Sequence, residues 1–167
     1  MFIIYLALLV NSTAVEPEIP IKYLKVTVCQ NLSDKIENQS FACEVEQVFR
    51  NEGFNSKLIT AALSNSYAES EFNPAAVGDK GKSIGIFQLH ENGLGKHMSN
   101  DERHDVKTSA RRVIIAVRKS SKLTKAIESD ASTEELTKLF CTEIMRPSDK
   151  HNKARRRVFL LNKIFKR

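Results

Sequence analysis

The chain has 167 residues, of which 41% are apolar and 28% charged, with a formal net charge of +6 and a pI near 9.3. These are ordinary values for a soluble globular domain with one sizeable core, and no internal repeat or low-complexity tract interrupts them. The positive balance favours a polyanionic partner without choosing among nucleic acid, a membrane surface and an anionic wall polymer.

Residues 2–10 form an apolar run, Phe-Ile-Ile-Tyr-Leu-Ala-Leu-Leu-Val, followed by Asn-Ser-Thr-Ala. The run is short for a bilayer span. It reads either as the core of a secretory signal or anchor, with Ser12 and Ala14 as cleavage-site residues, or as a terminal element docked on the body. No basic side chain precedes it. Glu16-Pro17-Glu18-Ile19-Pro20 reads as an extended linker, because proline disfavours helix in the residue before it. Residues 1–20 are therefore set apart from a domain over residues 21–167.

Within that domain, residues 21–29 are β-rich and partly alternating, a candidate strand. Residues 30–40 are polar and read as loop. Phe41, Val45, Val48 and Phe49 then fall on one helical face, with Gly53 as a stop signal. Lys57 to Ser70 is a second helix, with Leu58, Ile59, Ala62, Leu63 and Ser66 inward, broken by Asn73-Pro74. Residues 73–95 hold Pro74 and five of the six glycines, and predict a small hairpin or looped lobe. Asp105 to Ser120 carries the stripe Val106, Ala110, Val113, Ile114, Val117, and Ser121 to Ile127 a short helical turn. Ser132-Thr133-Glu134-Glu135 reads as a capping box opening a helix through Met145, with Leu136, Leu139, Phe140 and Ile144 inward. Residues 149–165 predict a basic amphipathic helix burying Ala154, Val158, Leu161 and Phe165. The fold class is α+β, mostly α: one domain with a small glycine-rich, β-rich wing.

Three cysteines, Cys29, Cys43 and Cys141, lack the spacing of a zinc or thioredoxin-like centre. Cys29 with Cys43 is the more plausible bridge in an exported protein; buried reduced thiols are the competing reading. The four histidines show no pairing that suggests a metal, and no cofactor is implied.

Residues 61–89 carry the chemistry. Glu69 ends an apolar helix, after Tyr67 and Ala68, and faces a glycine-punctuated segment. In an apolar pocket a glutamate keeps its proton near neutral pH and can act as a general acid. A solvated helix-end carboxylate is the plainer alternative. Downstream, the apolar run Gly85-Ile86-Phe87-Gln88-Leu89 holds one amide, Gln88, either a ligand contact or a satisfied buried amide.

These two segments closely resemble the catalytic core of the lysozyme superfamily, in its lytic transglycosylase and goose-type lysozyme branch and most like phage-encoded members. Glu69-Ser70 matches the family's Glu-Ser pair, which implies that Glu69 is the catalytic acid; Glu71 occupies a variable position. Gly85-Ile86-Phe87-Gln88 resembles the family's Gly-Leu-Met-Gln, and implies that Gln88 hydrogen-bonds an N-acetyl group or ring oxygen. Tyr67, Ser83, Phe87 and His90 are the further candidates for substrate contact. Asp79, in the predicted wing tip, is the candidate second carboxylate, with a turn residue as the alternative. The family's later Tyr-Asn pair is not recognisable. Glu143 and Arg146 lie where it would fall, in a Glu-x-x-Arg-Pro pattern similar to phage relatives, with a local i,i+3 ion pair as the simpler reading.

The resemblance implies cleavage of the β-1,4 bond between N-acetylmuramic acid and N-acetylglucosamine, by transglycosylation or hydrolysis. It sets the action outside the cytoplasm, in an exported or virion-carried protein, with bacterial peptidoglycan as partner and other virion proteins as further ones. Fold alone does not settle function, so a non-catalytic envelope-binding or virion structural module remains the competing reading. The basic run from Lys150 to Arg157 would suit nucleic acid by charge, but no aromatic interleaves it; no specific nucleic-acid partner is expected.

Overall fold

The structure is a computed structural model that describes residues 27–165. The apolar run at residues 2–10 and the linker at 16–20 lie outside the described residues. So does most of the candidate strand at 21–29; its described end, residues 27–29, leads into a 3-10 turn, Cys29–Asn31, rather than a strand.

The described chain is seven α-helices around one core, with a three-stranded wing inserted after the second. Helix α1 spans Gln39–Asn51 and buries Ala42, Val45, Val48 and Phe49. Gly53, just beyond it, has φ +84°, so the glycine stop is used as expected. Helix α2 spans Ser56–Ser70, with the Asn55 side chain accepting from the Leu58 amide. It is buried from Leu58 through Ser66 except at Thr60, because α1, α6, α7 and the wing pack around it. Its small residues Ala61, Ala62, Ser64 and Ser66 permit that close approach. Where serine replaces alanine its hydroxyl finds a carbonyl: Ser64 donates to Arg157 at 2.9 Å and Ser66 to Ile86 at 3.1 Å.

Helix α2 ends before Asn73-Pro74. Glu71 and Phe72 both have left-handed backbones, φ +54° and +62°, and turn the chain sharply. For a bulky residue that conformation costs roughly 1–2 kcal/mol. Phe72 is fully buried and stacks at 5.3 Å on Tyr67, and burying such a ring contributes about 1.5–3 kcal/mol. Packing therefore outweighs strain at the end of the helix.

The wing holds β1 (Val77–Gly78), β2 (Ser83–Ile84) and β3 (Leu89–His90), antiparallel in sequence order. Val77 pairs with Ile84, and Ser83 with His90. A 3-10 turn, Asp79–Gly81, links the first two strands. Two-residue strands cannot stand alone. Arg103, only 4% exposed, fastens them by donating to the carbonyls of Lys82 at 2.8 Å and Leu89 at 3.1 Å.

Arg103 belongs to α3 (Asn100–His104), a short helix in a segment that resembles a loop of phage members of the superfamily. Ser99 and Glu102 form its capping box, each side chain accepting from the other's amide. At the expected box, Ser132 accepts from Glu135, and the reciprocal bond is absent among the described contacts. Helix α4 (Val106–Lys119) buries the expected stripe, and α5 covers Ser121–Glu128.

The predicted helix through Met145 divides. Helix α6 spans Thr133–Leu139, and Phe140–Met145 winds as a π turn ending at Arg146, φ +49°. The wider turn carries Phe140, Cys141 and Ile144 all into the core. Helix α7 (Lys150–Ile164) buries Ala154, Leu161 and Ile164 as well as Arg157, while Val158 and Phe165 are half-buried. Cys29 and Cys43 are bridged, and Cys141 is a free, buried thiol. The bridge ties the 3-10 turn to α1. Buried Glu46 fixes the same turn, accepting from the amides of Val28 and Cys29 at 2.8 and 2.6 Å.

Candidate active site

Glu69 lies in the last turn of α2, its carboxylate 21% exposed. The expected apolar pocket is not its immediate setting. Oε1 accepts from Arg157 Nη2 at 2.5 Å, and the Arg157 side chain is 4% exposed. The guanidinium is held at every nitrogen: Nη1 donates to the Asn65 carbonyl at 3.0 Å, and Nε reaches Cys141 Sγ at 3.1 Å. Burial pushes the Cys141 thiol up, against the pull of Arg157, so the sulfur faces the cation as a neutral acceptor. Glu69 is therefore clamped through one oxygen by a cation that cannot itself give up a proton.

The neighbouring Ser70 hydroxyl donates to the Ile86 carbonyl at 2.8 Å. Helix α2 and the Gly85–Leu89 segment are thereby locked together. Gly85 itself has φ +82°, and a Cβ there would lie 1.9 Å from the Arg103 carbonyl oxygen. Only glycine fits.

Gln88 sits half-buried with φ +47°. Its amide nitrogen donates to both Ala76 and Gly85 carbonyls, each at 3.0 Å. Both donors are thus spent inside the wing, and its Oε1 lies so close to Gly78 that a Cβ there would meet it at 2.4 Å. Donation to a sugar ring oxygen would require breaking one of these bonds. In this arrangement the amide braces the wing.

Ser83 is buried and donates to the Asp79 carboxylate. Asp79 is exposed, with φ +47°, at the start of the wing-tip turn. That is the geometry of a turn residue whose side chain closes its own turn. Tyr67 is half-buried on Phe72; burial, then the nearby charges of Glu71 and Glu37, push its phenol up. Phe87 is fully buried in the core and presents no surface of its own.

A cleft of about 730 Å³ runs beside these residues, between the wing, the α4–α5 junction and the π turn. Gln88, His90, Glu143 and Arg146 line it, with Phe87 beneath. Glu69, Tyr67, Ser83 and Asp79 do not. Glu69 is instead tied to two of its walls, through Ser70 to the wing and through Arg157 and Cys141 to the π turn. The local ion pair expected of Glu143 and Arg146 is not formed. Glu143 pairs with Lys122 at 3.0 Å, and Arg146 Nε donates to the Glu143 backbone carbonyl at 2.8 Å. A π turn has more residues per turn than an α-helix, so i and i+3 side chains no longer face each other.

A family comparison places the chain as a whole. Residues 41–159 match the phage tail lysozyme family, from the first turn of α1 well into α7. The chain belongs to the phage tail lysozyme family. It is thus a lysozyme-like, peptidoglycan-degrading protein of phage association that acts on the cell wall from outside the cytoplasm. No curated protein matches the chain. The tail-lysozyme match covers Glu69, Gln88, Glu143 and Arg157 but gives none of them a role. Among the described residues, no helix is long and apolar enough to cross a membrane, and no cluster of His, Cys, Asp and Glu could hold a metal ion.

Arg157 and Arg103 are the site-building residues that sequence reasoning missed. Arg157 stood in the basic run as one of several solvated cations. Its signal was positional: it falls three residues after Ala154 and four before Leu161, within the buried stripe of α7.

Proposed function

We propose that the chain cleaves the β-1,4 bond between N-acetylmuramic acid and N-acetylglucosamine, with Glu69 as proton donor. The observation that carries this is the fixed, partly exposed carboxylate. Arg157 holds Oε1, which leaves Oε2 to meet the leaving oxygen. Orienting the acid in advance removes part of the entropy cost of the transition state. The step requires Glu69 to have first taken up a proton on Oε2, the oxygen that Arg157 does not hold. As the glycosidic C–O bond breaks, that proton passes to the leaving oxygen, and the muramic ring becomes oxocarbenium-like.

The reaction finishes in one of two ways. The sugar's own 6-hydroxyl attacks and returns its proton to Glu69, or a water does so. The first route needs no second carboxylate. Asp79 is held by Ser83 and Glu143 by Lys122, which favours that route and a 1,6-anhydro product. The setting is a phage particle, in contact with other virion proteins.

Zymography on peptidoglycan tests the assignment. Wild type should clear the gel and Glu69→Gln should not. Equal clearing by both would remove Glu69 from the role, and no clearing by wild type would leave an envelope-binding module. Mass spectrometry of the released muropeptides separates the routes, since an anhydro end is one water lighter than a reducing end.

A further inference from the structure

The 730 Å³ cleft carries an excess of positive charge that bond cleavage does not use. Lys119 comes from the end of α4, Lys122 from the first turn of α5, and Arg146 from the end of the π turn. The α4–α5 junction and, more than twenty residues on, the π turn thus deliver cations to one cavity. Glu143 is its only carboxylate and is already paired with Lys122. Among the described residues, the Lys119 ammonium and the two Nη atoms of Arg146 have no partner. Between these charges the lining mixes apolar Leu94, Ala116 and Met145 with polar Gln88, His90, Asn92, Ser120 and Ser121.

A neutral sugar would satisfy the polar groups but leave Lys119 and Arg146 without a counter-charge. The cavity suits a short aliphatic chain ending in carboxylates, with methyl groups on the apolar floor and anionic ends at Lys119 and Arg146. In peptidoglycan the glycan backbone supplies little charge, whereas the stem peptides supply alanine methyls and free carboxylates. The cleft also adjoins the wing segment that packs on the Glu69 helix, so an occupant would lie beside the scissile strand.

We propose that this cleft is a subsite for the free carboxylates of the stem peptide, and that it makes the enzyme prefer peptide-bearing, carboxylate-rich strands over neutral ones. The inference rests on the glycosidase reading above. Lys119 and Arg146 provide the charge, and Lys122 is held in reserve by Glu143.

The test uses soluble peptidoglycan strands freed of wall teichoic acid, and the same strands after carbodiimide-coupled amidation, which makes each carboxylate a neutral amide. Wild type should show a KM about fivefold higher on the amidated strands, the size expected of one or two solvent-accessible ion pairs. Lys119→Gln combined with Arg146→Gln should raise KM on native strands and erase the difference. Lys119→Glu should reverse it. Co-sedimentation of strands with the Glu69→Gln protein reads the same preference without turnover, so failure of the glycosidase reading and failure of the subsite are distinguishable. Unchanged thermal unfolding of the Lys119 and Arg146 variants checks their fold. Equal KM and equal binding for native and amidated strands would overturn the proposal. So would a variant that keeps the wild-type ratio, or a preference that follows retained teichoic acid phosphate instead of amidation.

Discussion

Arg157 Nη2 lies 2.5 Å from Glu69 Oε1, joining residues 88 positions apart in sequence. The pair connects the last turn of α2 to the middle of α7, and its guanidinium is almost wholly buried. A buried cation without its carboxylate is costly, so each partner holds the other in place.

Replacing Arg157 by Met should destabilise the fold strongly. Breaking a buried pair by removing one partner costs about 3–5 kcal/mol. Because Glu69 is partly exposed and can rehydrate, the lower end is expected here. Denaturant unfolding of Arg157→Met, Glu69→Gln and the double variant gives the coupling. If the two losses simply add, the pair contributes nothing to stability.

Gly85→Ala and Gly81→Ala make a controlled comparison. Both glycines have positive φ, +82° and +91°, so each substitution incurs roughly 1–2 kcal/mol of backbone strain. At Gly81 the space is open, and the cost should stop there. At Gly85 the added Cβ collides with the Arg103 carbonyl, so a larger loss is expected, with the wing displaced and lytic activity gone. Equal unfolding midpoints for the two variants would contradict the steric argument.

Gln88→Ala should loosen the wing before it harms the body. Two hydrogen bonds disappear, at about 1 kcal/mol each. Hydrogen exchange is the sensitive readout: the Gly85 amide, bonded to the Ala76 carbonyl at 2.9 Å, should lose protection while amides of α1 and α4 keep theirs. Unchanged protection at Gly85 would point away from a bracing role and back towards direct substrate contact.

Asp105 gives a pH dependence whose sign is fixed. Hydrogen bonds from the Thr108 side chain and amide hold its carboxyl below the usual carboxylate range. The folded state therefore favours the charged form. The resulting stability is fully present at neutral pH and is lost as pH falls through the folded value. Asp105→Asn keeps a capping acceptor but removes the charge, so the stability difference from wild type should shrink as acid is added. A difference that grows in acid would reverse the sign.

Removing the Cys29–Cys43 bridge should cost about 3 kcal/mol, from the freedom regained by a closed segment of this length. Unfolding of the Cys29→Ala/Cys43→Ala protein measures it. Glu69 and Arg157 lie on α2 and α7, neither of which carries a bridged cysteine, so loss of clearing should track unfolding and not precede it.

Elements that bury one face were legible in the sequence. The stripe of α4 appears as read, and that of α1 does apart from the half-buried Phe41, because an apolar period of 3.6 has one solution when one side is wet. Phe140–Met145 misled the same reasoning: its apolar residues keep a helical look, and only packing shows that the turn has widened. The segment 93–105 misled it in the other direction. It resembles a loop of phage members of the superfamily, yet the reciprocal cap of Ser99 and Glu102 opens α3, and Arg103 then binds the wing.

Glu69 and the Gly85–Gln88 segment could be singled out from sequence by their resemblance to the Glu-Ser and Gly-x-x-Gln motifs of the lysozyme superfamily; a helix-end carboxylate alone reads equally as a solvated one. What surrounds them was decided only by the tertiary structure. A guanidinium looks the same in sequence whether water or a protein carbonyl solvates it. The fold places Arg157 on the buried side of α7 and, by doing so, makes it the partner of Glu69. It likewise turns Gln88 inward to brace the wing, and gathers Lys119, Lys122 and Arg146 around one cleft. Local periodicity fixes which way a helix faces; contacts across 88 residues depend on how the helices pack, and no short-range pattern encodes them.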